Sequence, residues 1–196
     1  MDAARAALRR TARAARTAFV GALAGPVRHG LQSALAAQAL PHLGPPAILG
    51  TYAAVGDELD PAAVEAAARS AGWQSAFPRV TRNGPLEFRA ATLTQLAPGF
   101  RGIPEPPAAL PIVRPDILLV PLVAADLAGN RLGQGGGHYD RTLSALRASG
   151  PVLAIGIAWD MQIVPDLPVR PWDQPLDAIA TPTAFHLVRH TATGQP

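Results

Sequence analysis

The sequence predicts one α/β domain, in which a mainly parallel central sheet carries helices on both faces. Two apolar runs, at residues 117–123 and 152–158, lack polar alternation, which is typical of strands buried on both faces of a sheet. Segments of strand character alternate along the chain with segments of helical character, as in parallel sheets. The 196 residues suit one domain with a sizeable core, and they contain no internal repeat and no long linker. We therefore expect a three-layer, Rossmann-like architecture over residues 1–196.

The first third of the chain predicts two helices, a strand and a third helix. Residues 3–18 are rich in Ala and Arg, both strong helix formers, and predict a basic first helix. Leucines recur on one side of residues 27–40, which predicts a second helix before a proline-rich break. Residues 47–54 then have the composition of a buried strand. Asp60 followed by Pro61 predicts the capped start of a third helix.

The rest of the chain predicts strands separated by loops and one further helix. Strands at residues 74–80 and 86–90 flank a turn at Asn83 and Gly84. Six prolines between residues 98 and 115 predict an ordered loop. The remaining elements are, in order, a strand at 117–123, a glycine-rich loop at 129–137, a helix at 139–148, a strand at 152–158, a helical turn at 161–164, a strand at 176–181 and a polar tail over about residues 186–196.

The composition excludes several classes of chemistry. The chain has no cysteine, which excludes disulfides, thiolate metal sites and cysteine nucleophiles. None of its 17 basic residues is lysine, so it has neither a Schiff-base lysine nor a Walker-type phosphate loop. No run supplies the roughly 20 apolar residues of a membrane helix, and no apolar stretch follows the basic start as in a secretory signal. We therefore expect a cytoplasmic location and no membrane partner. We also expect a monomer without a nucleic-acid partner.

Four arginines of the first helix share one face, because their spacings are four, four and three residues: Arg5, Arg9, Arg13 and Arg16. Like charges at these spacings repel one another, so an anionic partner is favourable, and guanidinium groups bind phosphate oxygens bidentately. A solvated basic face, a cleaved transit peptide and a nucleic-acid surface are the alternatives. The low aromatic fraction of 5% and the scattered later arginines speak against a nucleic-acid surface.

The glycine-rich loop after the buried strand at 117–123 is the strongest candidate site, since ligands of α/β sheets bind at the carboxyl ends of the strands. Its backbone N–H groups and the N-terminus of the next helix can cradle phosphate. The loop glycines are Gly133, Gly135, Gly136 and Gly137. Arg131 and Arg141 add positive charge, and Asp140 stands where a carboxylate can hold Mg²⁺ between phosphates. A structural turn is the alternative, because the loop matches neither the dinucleotide fingerprint nor a Walker loop.

Residues 116–141, DILLVPLVAADLAGNRLGQGGGHYDR, resemble the signature of the 5-formyltetrahydrofolate cyclo-ligase family, also called methenyltetrahydrofolate synthetases. That signature reads D-x-x-x-V-P-x-x-x-x-D-x-x-G-x-R-L-G-Y-G-x-G-Y-Y-D-R. Other blocks follow in the family's order: its K-x-x-L-R start at residues 5–9, its segment with Tyr, Glu and Asp at 52–60, its G-I-x-E-P block at 102–106 and its closing block at 162–181. The resemblance covers about residues 5–182, nearly the whole chain.

The resemblance implies conversion of 5-formyltetrahydrofolate to 5,10-methenyltetrahydrofolate, with ATP as co-substrate, Mg²⁺ as cofactor, and ADP and phosphate as the other products. ATP phosphorylates the formyl oxygen, and the N10 amine then closes the ring. Matched positions make Arg131 and Asp140 the catalytic residues and Asp140 the Mg²⁺ ligand. By the same matches, ATP is bound by Arg5, Arg9, Arg131, Gly133, Gln134, Gly135, Gly136, Gly137, His138, Tyr139 and Asp140. The resemblance also implies that Glu58 hydrogen-bonds the pterin of the folate and that Tyr52, Tyr139 and Trp159 pack against the folate or the adenine. The alternative for Trp159 is a residue at a strand end that covers the core.

Three positions depart from the family pattern. Arg5 replaces a lysine, Gln134 replaces the loop tyrosine, and His138 replaces the first of the two tyrosines before Asp140. We interpret His138 as a neutral polar substitute rather than a proton carrier. The departures keep one alternative function open, a family relative that retains the ATP site but acts on another substrate or is inactive. Another small α/β enzyme that handles phosphate, or an anion-binding α/β protein, is a further alternative.

Overall fold

A computed structural model describes residues 2–82 and 84–188, and within them the chain forms four α-helices and eleven strands. The helices are α1 (Asp2–Gly21), α2 (Gly25–Ala39), α3 (Ala62–Ser70) and α4 (His138–Ser149). The strands are β1 (Ile48–Gly50), β2 (Gln74–Arg79), β3 (Glu87–Ala90), β4 (Ala97–Pro98), β5 (Pro104–Glu105), β6 (Ile117–Pro121), β7 (Ala124–Ala125), β8 (Arg131–Leu132), β9 (Leu153–Ile157), β10 (Ala178–Ala180) and β11 (Phe185–Leu187).

Seven strands form the central sheet in the order β11-β10-β9-β6-β1-β2-β3. The five inner strands are parallel, and the strands at the two edges, β11 and β3, pair antiparallel to their neighbours. Strand β1 lies between β2 and β6, with Leu49 opposite Ser75 on one side and Ile117 on the other. The prediction of a mainly parallel sheet is therefore confirmed.

The sheet is covered on both faces, which explains the unbroken apolar runs of its central strands. Helices α1, α2 and α3 pack on one face around Leu35 and Val64, against Leu119 of β6 and neighbouring sheet residues. Helix α4 packs Leu143 on the other face against Leu118 and its neighbours. Successive residues of β6 thus point into two different cores, and both positions must be apolar. The prediction of helices on both faces is confirmed.

Most of the predicted helices and strands are present in the structure, but several strands are shorter than predicted. The helix predicted to start at Asp60 and Pro61 begins one residue later, since Pro61 is the N-cap residue of α3, and the Asp60 carboxylate before it accepts a hydrogen bond from the Ala62 N–H at 2.9 Å. Of the strand predicted over residues 47–54, only Ile48–Gly50 pairs in the sheet, and the chain beyond it becomes a site loop. Strand β11 was not predicted, so the first residues assigned to the polar tail belong to the sheet, while residues 189–196 and Asn83 lie outside the described part.

Within residues 2–82 and 84–188, no helix combines the length and the apolar character that crossing a membrane requires.

Candidate active site

A cavity of about 610 Å³ opens at the carboxyl ends of β1, β2 and β6, where α/β sheets bind ligands. Residues 52–58 line it after β1, Val80 after β2 and Leu122 after β6. Helix α1, residues 131–140, the β4–β5 hairpin and residues 170–173 supply the other walls. Every residue predicted to bind ATP or folate, except Trp159, lines this cavity. Segments far apart in sequence are therefore brought together at one site.

At the start of α1, Arg5 is held by a buried ion pair. Its Nη1 lies 2.6 Å from Oδ2 of Asp173, and the same nitrogen donates to the backbone oxygen of Pro168. The fork of the guanidinium suits this pairing, because Nη2 approaches the other carboxylate oxygen of Asp173 at 3.4 Å. The arginine that replaces the family lysine thus ties α1 to the segment before β10.

The next two arginines of the helix reach the glycine-rich loop. Arg9 Nε donates to the backbone oxygen of Gly133 at 2.7 Å, and Arg13 Nη2 donates to both the side-chain and the backbone oxygen of Gln134. Burial, and then the charges of Arg5 and Arg13, lower the pKa of Arg9. The α1 arginines therefore face the cavity and concentrate positive charge beside the loop, which favours an anionic ligand.

The loop itself adopts a backbone that glycine permits. Gly135 and Gly137 have φ angles of 107° and 64°, in the left-handed region, and Gly137 is the N-cap residue of α4. Arg141 Nη1 donates to the Gly136 oxygen at 3.0 Å and fixes the loop against the first turn of the helix. The loop and the helix N-terminus together form the type of site at which phosphate binds to backbone N–H groups.

Arg131 and Asp140 connect the two ends of this loop. Arg131 Nη2 lies 2.6 Å from Oδ1 of Asp140, and the Gln174 N–H donates to the same oxygen at 3.1 Å. The Arg131 side chain is buried, and its Nη1 donates to the Gln174 oxygen. Burial lowers the pKa of Arg131, and the charge of Asp140 opposes that shift. The arginine remains charged, because its ordinary pKa lies far above neutrality.

The carboxylates of the cavity suit a magnesium ion that is shared with phosphate. No cluster of three or more His, Cys, Asp or Glu residues that could enclose a metal occurs in residues 2–82 and 84–188. Mg²⁺ does not need such a cage, since it usually keeps several waters and is held by one or two carboxylates together with substrate phosphates. Asp140 lines the cavity beside the loop and fits that description.

On the neighbouring 52–58 loop, Glu58 is fixed from two sides. Its Oε2 accepts a hydrogen bond from the Val55 N–H at 3.1 Å, and its Oε1 accepts one from Gln134 Nε2 at 3.3 Å. Because Gln134 also accepts from Arg13, it bridges the glycine-rich loop, α1 and the 52–58 loop. The residue that replaces the family tyrosine thus links the two ends of the site.

Two tyrosines line the same end of the cavity as Glu58. The Tyr52 hydroxyl donates to the Leu59 oxygen at 2.7 Å, which fixes the ring. Burial, and then the charge of Glu58, raise the pKa of Tyr52 well above its ordinary value, and the same two causes raise that of Tyr139. Both side chains are therefore neutral, and they supply aromatic surface and hydroxyl groups to this end of the cavity.

His138 lies at the first position of α4, next to the loop. Burial, and then the charges of Arg141 and Arg101, lower its pKa below the ordinary value. Its Nδ1 lies 3.1 Å from Arg141 Nη2, a donor that requires the ring nitrogen to accept. These contacts favour a neutral imidazole, as expected for a polar substitute.

Trp159 does not line the cavity, which corrects the expectation that it contacts the folate. Its side chain is fully buried in the core beside Phe19, with the two ring centroids 5.6 Å apart. The indole Nε1 donates to the backbone oxygen of Asp57 at 3.0 Å. Trp159 therefore stabilises the 52–58 loop, because its rings are packed in the core and its indole N–H is hydrogen-bonded to that loop.

Several residues of the cavity rim have no binding role among the sequence-based predictions. Trp172 is 63% exposed there, with the Arg170 guanidinium 5.5 Å from its ring centroid. Phe100 and Ile103, from the β4–β5 hairpin, also line the cavity and are partly exposed. The hairpin lies within the proline-rich segment, whose sequence gives no sign that it folds back over the site. An exposed tryptophan is recognisable only from its position in the fold.

The family model and the curated relatives that match this chain all carry the same family name. The family model described as the 5-formyltetrahydrofolate cyclo-ligase family matches residues 2–182. The 5-formyltetrahydrofolate cyclo-ligase of Escherichia coli K12 is 50% identical over 74 residues, which are 38% of this chain and 40% of that protein. The enzyme of the same name from Mycolicibacterium smegmatis is 37% identical over 98 residues, 49% of each chain. The chain thus spans less than half the length of the curated relatives it matches.

Two solved structures resemble the whole fold. The 5,10-methenyltetrahydrofolate synthetase of Aquifex aeolicus superposes with a TM-score of 0.74 at 25% identity, covering 98% of this chain and 96% of that one. The synthetase of Mycoplasma pneumoniae gives a TM-score of 0.64 at 24% identity, covering 93% and 99% of the two chains. With the family match over residues 2–182, the conclusion is that the chain belongs to the 5-formyltetrahydrofolate cyclo-ligase family.

Proposed function

We propose that the chain uses ATP to convert 5-formyltetrahydrofolate to 5,10-methenyltetrahydrofolate, releasing ADP and phosphate. The observation that carries this proposal is that one cavity holds both a phosphate-binding end and a carboxylate-containing aromatic end. The first end consists of the glycine-rich loop with the α1 arginines. The second consists of Tyr52, Glu58 and Tyr139. A reaction that moves a phosphoryl group from ATP onto a folate requires these two ends to adjoin.

The chemistry requires positioning and charge, which this site offers. The γ-phosphoryl group moves to the formyl oxygen, so the bond from the γ-phosphorus to the bridging oxygen breaks and its electron pair stays on ADP. N10 then attacks the formyl carbon and loses its proton, and the carbon–oxygen bond breaks to release phosphate. No step needs a protein nucleophile, which suits a chain without cysteine or lysine.

Binding of ATP is assigned to the loop end of the cavity. Residues 133–137 and the N-terminus of α4 bind the triphosphate through backbone N–H groups, and Arg9 and Arg131 add charge beside them. Asp140 holds Mg²⁺, which when bound neutralises phosphate charge and orients the triphosphate. Arg5 also lines the cavity, but its guanidinium is already paired with Asp173, so it positions that carboxylate rather than binding phosphate directly.

Binding of the folate is assigned to the other end. The amino and ring N–H groups of a pterin are donors, and the Glu58 carboxylate accepts them with a charge-assisted hydrogen bond. The Val55 and Gln134 contacts hold that carboxylate in place before the pterin arrives, which reduces the entropy cost of binding. Tyr52 and Tyr139 supply flat apolar surface for the ring.

The direction of the α1 arginines speaks against a nucleic-acid surface. Arg5, Arg9 and Arg13 face the cavity and bind groups of this chain there. A protein that binds nucleic acid instead displays such a row of cations on an open face. We therefore assign small-molecule partners, ATP and 5-formyltetrahydrofolate, and propose a monomer, since one chain supplies both ends of the cavity.

The experiment mixes purified protein with 5-formyltetrahydrofolate, Mg²⁺ and ATP and follows the near-ultraviolet absorbance of the methenyl product. The expected result is a rise that needs all four components. Absence of the rise, with ATP binding established by calorimetry, would indicate a family relative with another substrate or without activity. Absence of both would contradict the assignment of the loop end as well.

A further inference from the structure

Arg16 differs from the other buried arginines of the cavity. Arg5, Arg16 and Arg131 all line the cavity with little exposure. Arg5 pairs with Asp173, and Arg131 pairs with Asp140. Arg16 forms no ion pair with any carboxylate in the described ranges 2–82 and 84–188. Among the described residues it is thus a buried cation with no carboxylate within ion-pair distance.

The hydrogen bonds of Arg16 leave most of its donors unused. The residue is 7% exposed, and Nη1 donates to the Leu122 backbone oxygen across a long 3.4 Å. Its buried Nε has no hydrogen-bond partner among the described residues. A guanidinium keeps its charge at all ordinary pH values, so burying it with unused donors costs free energy. That cost is recovered when an anion with acceptor oxygens binds beside it.

The position of Arg16 along α1 indicates in which part of the cavity this anion binds. Arg16 lies seven residues after Arg9, which is about 10 Å further along the helix axis. Because Arg9 contacts the glycine-rich loop, Arg16 lies beyond the phosphate-binding end. The next residue, Thr17, donates its hydroxyl to the Asp57 carboxylate at 2.6 Å, so this turn of α1 lies against the 52–58 loop that carries Tyr52 and Glu58. Leu122, its acceptor, follows the central strand β6 at the cavity floor.

We propose that Arg16 is a catalytic residue that binds the phosphoryl group as it reaches the formyl oxygen of the folate. This inference rests on the proposed function. The formyl group is attached to N5 of the pterin ring, so a pterin held by Glu58 places the formyl oxygen at the same end as Arg16. When the γ-phosphoryl group is transferred, its negative oxygens leave the loop end and arrive there. Arg16 neutralises their charge, exchanges no proton, and stabilises the transition state more than bound ATP.

The test compares Arg16→Gln with Arg10→Gln, because Arg10 is an exposed arginine of the same helix outside the cavity lining. Single turnover is followed at saturating ATP and 5-formyltetrahydrofolate, with ADP and methenyl product measured together. For Arg16→Gln we expect both products to form about 100-fold more slowly. The ATP dissociation constant stays within threefold of wild type, and the melting temperature does not fall. Arg10→Gln keeps the wild-type rate.

Arg16→Lys serves as the second variant, since it keeps the charge and an extended side chain if the glutamine variant folds poorly. The lysine ammonium keeps the charge but cannot bind two phosphoryl oxygens bidentately as a guanidinium does. We therefore expect a rate between those of Arg16→Gln and wild type. Rates within threefold of wild type in both variants would overturn the inference. So would a raised KM for 5-formyltetrahydrofolate at an unchanged single-turnover rate, which would assign Arg16 to the folate carboxylates.

Failure of the inference and failure of the proposed function give different results. If wild type and Arg10→Gln form methenyl product and Arg16→Gln does so equally well, only the inference is overturned. If wild type and Arg10→Gln also form none, the proposed function fails, and the inference fails with it. A loss of rate that merely parallels a lowered melting temperature in both Arg16 variants would assign the residue a structural role instead.

Discussion

The guanidinium of Arg131 lies 2.6 Å from the carboxylate of Asp140, and both groups line the cavity beside the glycine-rich loop. The pair joins β8, which precedes the loop, to the first turn of α4, which follows it. It thereby sets the separation of the two ends of the loop. The same carboxylate is the group we assign to Mg²⁺, so loop geometry and metal binding depend on one residue.

Asp140→Asn should reduce turnover about 100-fold at fixed Mg²⁺ and ATP, because the amide cannot neutralise the cation. The amide oxygen can still accept the Arg131 hydrogen bond, so the free energy of unfolding should fall by only about 1–2 kcal/mol. Steady-state kinetics over a Mg²⁺ titration and urea unfolding measure the two effects. Wild-type turnover with an unchanged Mg²⁺ dependence would remove the role assigned to Asp140.

Glu58→Gln should raise the KM for 5-formyltetrahydrofolate about tenfold and leave the ATP dissociation constant unchanged. The charge-assisted hydrogen bonds to the pterin become neutral ones, which are roughly half as strong. The Val55 N–H can still bond to the amide oxygen, so the loop keeps its shape. Kinetics and ATP calorimetry on the same preparation provide the comparison. An unchanged KM for the folate would contradict the pterin contact.

Protonation of His138 should destabilise the fold. Because the folded pKa of His138 lies below its unfolded value of 6.5, the unfolded chain binds more protons near that pH, and stability rises with pH through this range. Below its lowered folded pKa the ring is protonated and can no longer accept from Arg141. Melting temperatures at pH 7.5 and pH 5.5 should therefore differ more for wild type than for His138→Asn. A larger acid sensitivity in the variant would reverse the sign and contradict this account.

Trp159→Phe should lower the free energy of unfolding by about 2–3 kcal/mol, because it leaves a cavity and an unpaired Asp57 carbonyl in the core. The KM for 5-formyltetrahydrofolate should stay within twofold of wild type, since the side chain lies outside the cavity. Chemical unfolding and kinetics below the melting transition measure both quantities. Wild-type stability together with a raised KM would show that Trp159 contacts a ligand after all.

Much of the fold could be predicted because its signals are local. The unbroken apolar run before the glycine-rich loop indicates a strand with cores on both sides, and Asp60 with Pro61 marks a helix start by capping chemistry alone. Strand β11 gave no such signal, because a three-residue antiparallel edge strand is too short to show a period. Its pairing depends on β10 being present, which is a tertiary condition.

The candidate site could be predicted in part, because its motifs are local in sequence whereas the contacts between them are not. Motif matches locate the loop and Glu58, yet the bond from Gln134 to Glu58 joins residues 76 positions apart, and only the folded sheet brings them together. For Trp159 the structure shows the core position and not the ligand contact, and the sequence left both open because a tryptophan after a strand can face either the core or a ligand. The unpaired charge of Arg16 is likewise visible only when its neighbours are known.

A stoichiometry measurement on wild-type protein tests whether ATP hydrolysis is coupled to ring closure of the folate. Limiting 5-formyltetrahydrofolate is incubated with excess Mg²⁺ and ATP, and methenyltetrahydrofolate, ADP and phosphate are quantified at completion. We expect equal amounts of all three products, each matching the folate supplied, and none when ATP is omitted. ADP and phosphate without methenyl product, or methenyl product without ATP, would contradict the proposed function.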